Sequence, residues 1–187
     1  MAYVDADLRT IARELDGLVS RYARDPTESD VDGEEFVTAV LCQLDSSTLT
    51  IANCGHPPPL LVAPDGEVRV LDASAPASPL GVGSDPVLDK VETPASARIL
   101  LYTDGLIEAL DRSGKSFDLS QAATGLAAGP LDAATSRLID QLNGHAKGRL
   151  SDDVAIMVLE PLPALGSSSQ GRSGPAAALP QPSQNGA

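Results

Sequence analysis

Aromatic side chains are scarce, at 3% of the 187 residues, and tryptophan is absent. Any core must therefore be aliphatic, drawn from a hydrophobic content of 42%. Basic residues are also few. Thirteen Lys and Arg face twenty-six Asp and Glu, for a formal charge of −13. That balance argues against a nucleic-acid backbone, which selects for Lys and Arg patches, and against contact with an anionic membrane surface. It suits divalent cations or a partner with a basic face. Long apolar runs are missing: Val37–Cys42 and Val154–Leu159 span six residues each, against the ~20 that a transmembrane helix needs. The first seven residues lack the basic region and apolar stretch of a signal peptide, so the chain as given is expected in the cytoplasm. Cys42 and Cys54 are the only cysteines. In a reducing compartment they read as free thiols.

Apolar residues at Val4, Leu8, Ile11, Leu15, Leu18 and Tyr22 recur at helical spacing and predict a helix over about Val4–Tyr22, stopped by Pro26. Asp25–Glu34 reads as an exposed loop. Phe36–Leu44 is apolar on both parities, as in a strand covered on both faces, and Leu49–Asn53 completes a hairpin with it. The prolines of Cys54-Gly55-His56-Pro57-Pro58-Pro59 force a rigid turn. Leu60–Val62 and Val68–Leu71 flank Pro64-Asp65-Gly66-Glu67, a second hairpin signal. Short strands follow at Val87–Val91 and Ile99–Tyr102, then a helical turn at Leu106–Leu110. Helices are expected at Leu119–Leu126 and Ala133–Leu142, the latter with Asp132 as N-cap and Gly144 as stop. Asp153–Leu159 reads as a last buried strand returning to the middle of a sheet. This order suits an α+β layered domain with largely antiparallel sheets. Residues 163–187 hold four Pro, four Gly and five Ser, and read as a disordered tail after a domain of residues 1–162.

Three acidic side chains stand at strand ends. Asp104, in Thr103-Asp104-Gly105, follows Ile99–Tyr102; Asp152 and Asp153 precede Val154–Leu159. If the two strands are neighbours, Asp104 and Asp152 converge at one sheet edge, where carboxylate oxygens suit Mg²⁺ or Mn²⁺. The alternative is that both aspartates form turns or caps, since Asp-Gly is a common turn. For Gly55-His56-Pro57 the readings are a tight-turn histidine, a soft-metal site with distant Cys42 and His145, or a Cys54–His56 nucleophilic pair. No Gly-rich phosphate loop, Gly-x-Ser-x-Gly elbow or His-Glu-x-x-His is present.

Phe36-Val37-Thr38-Ala39, Ala52–Pro58, Pro79-Leu80-Gly81, Leu101–Ala109 and Ser151–Ala155, in this order, resemble the SpoIIE-type serine phosphatases of bacteria, a branch of the metal-dependent protein phosphatase 2C superfamily. The resemblance covers roughly Val4 to Leu159. It implies an α-β-β-α sandwich binding Mn²⁺ or Mg²⁺ at one end. There, metal-bound water, with no protein nucleophile, attacks a phosphoserine on a regulatory protein, commonly an anti-sigma-factor antagonist. It further implies that Asp104 and Asp152 are metal ligands, with Asp153 beside them. Gly105 lets the chain turn next to the metals, and Gly55 and His56 are architectural.

The family's early Gly-Asp-x-x-Asp and Gly-Asp-x-x-Gly-x-Gly segments do not occur in this sequence. The chain thus resembles the C-terminal part of the catalytic domain, with a sandwich incomplete at the N-terminus. Reduced autonomous activity is expected, as is exposed sheet edge of the kind that favours association, including a homodimer. The alternative is a degenerate or truncated module that binds a signalling partner without turnover.

Overall fold

The computed structural model describes residues 7–23, 36–45, 47–147, 150 and 152–161. The predicted positions 4–6, the 25–34 loop, Ser151 and the 163–187 tail lie outside them. Helix α1 (Leu8–Tyr22) is followed by β1 (Ala39–Asp45), β2 (Thr48–Cys54), β3 (Leu60–Val62), β4 (Val68–Val70), β5 (Leu88–Glu92) and β6 (Arg98–Tyr102). A 3-10 turn at Asp104–Leu106 leads to α2 (Leu119–Ala123), a further 3-10 turn at Thr124–Ala127, α3 (Leu131–Ala146) and β7 (Ile156–Leu159). All named strand pairs are antiparallel, in two sheets ordered β1-β2-β5 and β4-β3-β6-β7.

The period-2 alternation of the strands explains the layers. Leu49 and Ile51 of β2, with half-buried Val40 and Cys42 of β1, pack against Leu61 of β3 and Ile99 of β6 between the sheets. The alternate residues turn outward. Cys54, with Ala39 and Leu41, meets Ala12, Leu15 and Val19 of α1. Leu60, Val62, Leu100 and Tyr102 meet Leu119, Leu126, Leu138 and Leu142 on the opposite side. The result is α-β-β-α, the expected class.

Several expectations are corrected in detail. Helix α1 begins at Leu8, because the Asp7 side chain accepts from the Arg9 amide and caps it. Strand β1 begins at Ala39. Phe36 and Val37 precede it, exposed, and Val37 exchanges backbone hydrogen bonds with Leu80 outside any ladder. The turn after β6 is a 3-10 turn one residue after the strand, earlier than Leu106–Leu110. Pro130, not Asp132, occupies the N-cap of α3, leaving Asp132 in the first turn. Helix α3 runs through Gly144 and stops where Lys147 turns left-handed at φ 49°. Strand β7 lies at the edge of its sheet among the described residues, not in the middle. Nor is it buried as expected: Ile156 and Val158 pack on the helix-side core and Leu159 between the sheets, while Met157 is exposed.

Candidate functional site

Strands β6 and β7 are neighbours, paired from Ile99↔Leu159 to Tyr102↔Ile156. Beyond that last pair the chains stay zipped. The Thr103 amide donates to the Ala155 carbonyl (3.1 Å). The Thr103 hydroxyl accepts from the Ala155 amide (2.9 Å) and donates to the Asp153 carbonyl (3.1 Å). One side chain thereby ties the two acid-bearing segments together. Asp104 then opens the 3-10 turn. Its carboxylate accepts from the Gly105 amide (3.0 Å), and its carbonyl accepts from Ile107 and Glu108. A Cβ on Gly105 would lie 2.6 Å from the Asp153 carbonyl oxygen, so only glycine permits this approach. Asp152 accepts from the Asp153 amide (2.7 Å). Asp104, Asp152 and Asp153 are all exposed. The structure therefore brings the two segments to one end of one sheet. Their carboxylates are hard donors, yet among the described residues no group of three or more His, Cys, Asp or Glu gathers closely enough to hold an ion.

His56 lies on the other sheet's side of this end. Strand β2 stops at Cys54, and Gly55 turns at φ +74°, with its missing Cβ facing Pro79 at 3.1 Å. The Asn53 side chain closes on the His56 backbone, donating to its carbonyl and accepting from its amide, both at 2.8 Å. The ring reaches the Tyr102 carbonyl through Nε2 (3.1 Å) and the Thr38 hydroxyl through Nδ1 (3.1 Å). A carbonyl only accepts, so Nε2–H donates to it, and Nδ1 shares a hydrogen bond with the Thr38 hydroxyl. Cys54 meanwhile is fully buried under α1. The tight-turn reading of His56 therefore stands, and the Cys54–His56 pair does not form. The soft-metal site does not assemble either. His145 bonds the Lys115 carbonyl at 2.9 Å and stacks edge-on against Phe117, while burial pushes the Cys42 thiol up to about 11.

The sequence reading missed four supports. Thr103 is one. Asn53 is another, whose signal is a polar side chain three residues before a histidine in a proline turn. Arg98, a charge opening the apolar run Ile99–Tyr102, is buried. Its guanidinium donates to Glu160 (2.8 Å), to the Leu126 carbonyl and to the Gly129 carbonyl (2.7 Å). Asp16 lies on the inward face of α1 and accepts from the amides of Gly81, Gly83 and Ser84 at 2.8, 3.1 and 2.9 Å. Those bonds, Ser84's foremost, hold its carboxyl below the usual range.

Similarity to known proteins agrees with this geometry. The RsbU and RsbW domains of a Mycobacterium tuberculosis protein superpose with a TM-score of 0.63 at 26% identity, over 82% of this chain and 42% of that one. The phosphatase domain of the Bacillus subtilis cell-fate determinant SpoIIE, presoaked with manganese, gives 0.56 at 18% identity, over 83% and 66%. The catalytic domain of the serine/threonine phosphatase PstP, in complex with two manganese ions, gives 0.57 at 17%, over 81% and 66%. The chain thus spans between two fifths and two thirds of these relatives. The family model of stage II sporulation protein E matches residues 1–161, and the chain belongs to that SpoIIE family.

Proposed function

We propose that this chain contributes to metal-dependent hydrolysis of phosphoserine on a regulatory protein, of the anti-sigma-factor-antagonist type. The observation that carries this reading is the antiparallel pairing of β6 with β7. It ends in Thr103-Asp104-Gly105 on one strand and precedes Ala155 with Asp152-Asp153 on the other. Three exposed carboxylates at one end would repel a phosphate dianion. A cation among them reverses that sign.

The donor set fits a hard divalent cation, Mn²⁺ or Mg²⁺. It consists of carboxylate oxygens on two segments whose close approach needs Gly105, because a Cβ there would clash with the Asp153 carbonyl. Asp104 and Asp152 are the residues that would hold it, with Asp153 next to them. Bound there, a divalent cation supplies charge neutralisation for phosphoryl oxygens and a water of lowered pKa. The chain's own part is to hold the carboxylates on rigid elements. Thr103 locks the two segments, Gly105 permits their approach, and the Asn53–His56 turn braces them from the other sheet. No side-chain nucleophile is required. The unit is taken as residues 1–162, acting in the cytoplasm; the edge strands of the two sheets among the described residues favour self-association.

A second reading, a module that binds a signalling partner without turnover, is favoured by one observation. Among the described residues fewer than three ligand-type side chains gather. One experiment separates the two. Phosphate release from a phosphoserine protein should require Mn²⁺ and vanish in Asp104→Asn. A folded chain that takes up Mn²⁺ and releases no phosphate leaves the binding module standing.

A further inference from the structure

We propose that His56 is a positioning residue for the acid-bearing end, acting through the Tyr102 carbonyl on Thr103 and thence on Asp104 and the Asp152–Asp153 segment. Strands β2 and β6 belong to different sheets, so no ladder hydrogen bond fixes one against the other. The imidazole spans that gap. Its Nε2–H donates to the carbonyl of Tyr102, the last residue of β6 paired with β7. Its Nδ1 is hydrogen-bonded to the hydroxyl of Thr38, just ahead of β1.

The ring is also anchored beyond what a turn needs. Asn53 alone closes the turn with two 2.8 Å bonds to the His56 backbone. Pro57 follows directly, and Pro79 closes the space beside Gly55. A side chain pinned at its backbone and at both ring nitrogens has little rotamer freedom left to lose, so it behaves as a strut. The next residue after its target, Thr103, holds both the Asp153 carbonyl and the Ala155 amide. The order Thr38–His56–Tyr102–Thr103–Asp153 is thus a continuous path of three hydrogen bonds and one peptide link from the β1–β2 side to the acidic segments of the other sheet. This inference rests on the proposed metal reading for its purpose, but not for its first test.

That test is amide hydrogen exchange on the full metal-free chain. In His56→Leu, the Thr103 and Ala155 amides should exchange at least ~10-fold faster, while the Ala63 amide of the β3–β4 hairpin should not change. His56→Gln, which keeps an N–H donor, should restore protection. Mn²⁺ affinity, read from water-proton relaxation, should fall roughly 10-fold in His56→Leu and recover in His56→Gln, the range for residues that orient metal ligands.

Unchanged exchange at Thr103 and Ala155, or exchange accelerated equally at Ala63, overturns the proposal. Mn²⁺ affinity equal to the parent chain in His56→Leu overturns it as well. Should His56→Leu not fold, Thr103→Val decides the matter, because it cuts the same path one residue later. Its Mn²⁺ affinity must fall, and parent-like affinity overturns the path. A parent chain that binds Mn²⁺ without releasing phosphate defeats the catalytic reading alone. A parent chain that takes up no Mn²⁺ defeats the metal reading, and the exchange result then decides the positioning claim.

Discussion

The two sheets are built from similar aliphatic strands yet are buried to different depths. In the four-stranded sheet, β3 is buried throughout, and β6 buries Arg98, Ile99, Leu100 and Tyr102. Helices α2 and α3 cover its outer face. In the three-stranded sheet only β2 is deeply buried. Strand β1 is half-buried at its start and exposed from Gln43 to Asp45, and among the described residues α1 alone covers the outer face. The acidic segments hang from β6 and β7, on the better-covered sheet. A site needs its ligands on an element that does not open locally, and β6 is such an element.

Substitutions that unequally damage the two sheets test this contrast. The largest effect is expected at Leu100, fully buried among the helix-facing residues. Leu100→Ala should cost about 3 kcal/mol in urea unfolding, and Leu41→Ala on half-buried β1 about half that. Equal losses would erase the distinction. Arg98→Met comes next. It leaves the Leu126 and Gly129 carbonyls without their donor and should cost about 2 kcal/mol by the same assay. Gly105→Ala should cost about 1.5 kcal/mol, because its Cβ would meet the Asp153 carbonyl at 2.6 Å. Its amide shifts should move at Asp152–Ala155 and not on β1.

The smallest effect lies in the thinner layer. The Asp16 carboxyl is held below its unfolded value of about 3.9. Its contribution is therefore full above that pH and is lost as pH falls through the lowered folded value. Asp16→Asn should be less stable than the parent near neutrality, and the gap should close in acid. A gap that widens on acidification would contradict the assigned role of the Gly81, Gly83 and Ser84 amides.

Much of the scaffold was legible because its signals are local. The Pro64–Glu67 turn announces the β3–β4 hairpin, and the three- and four-residue spacing announces α1. The class follows from element order. Sheet position was not legible: the continuous apolar run Val154–Leu159 reads as a buried strand, yet Met157 within it is exposed and β7 lies at an edge among the described residues. The ends of α3 were misread, because Asp132 and Gly144 carry strong local preferences that packing of Ala134, Leu138, Leu142 and Ala146 overrides. At the site, the acidic residues stood out as residues flanking buried strands. Most of their supports did not, since the partners of Thr103 and Arg98 lie 28 to 62 positions away in sequence, where no spacing rule connects them; Asn53, three residues before His56, carried a local signal that went unread.

The central claim is that pairing of β6 with β7 makes one cation-holding end from two distant segments. Paramagnetic broadening by Mn²⁺ in the amide spectrum of the full chain tests it most directly. Substoichiometric Mn²⁺ should broaden Gly105 and Asp153 together, at the same concentration, and Asp104→Asn should relieve both. Broadening at one segment alone, or spread over the many exposed carboxylates of this acidic chain, would contradict the account.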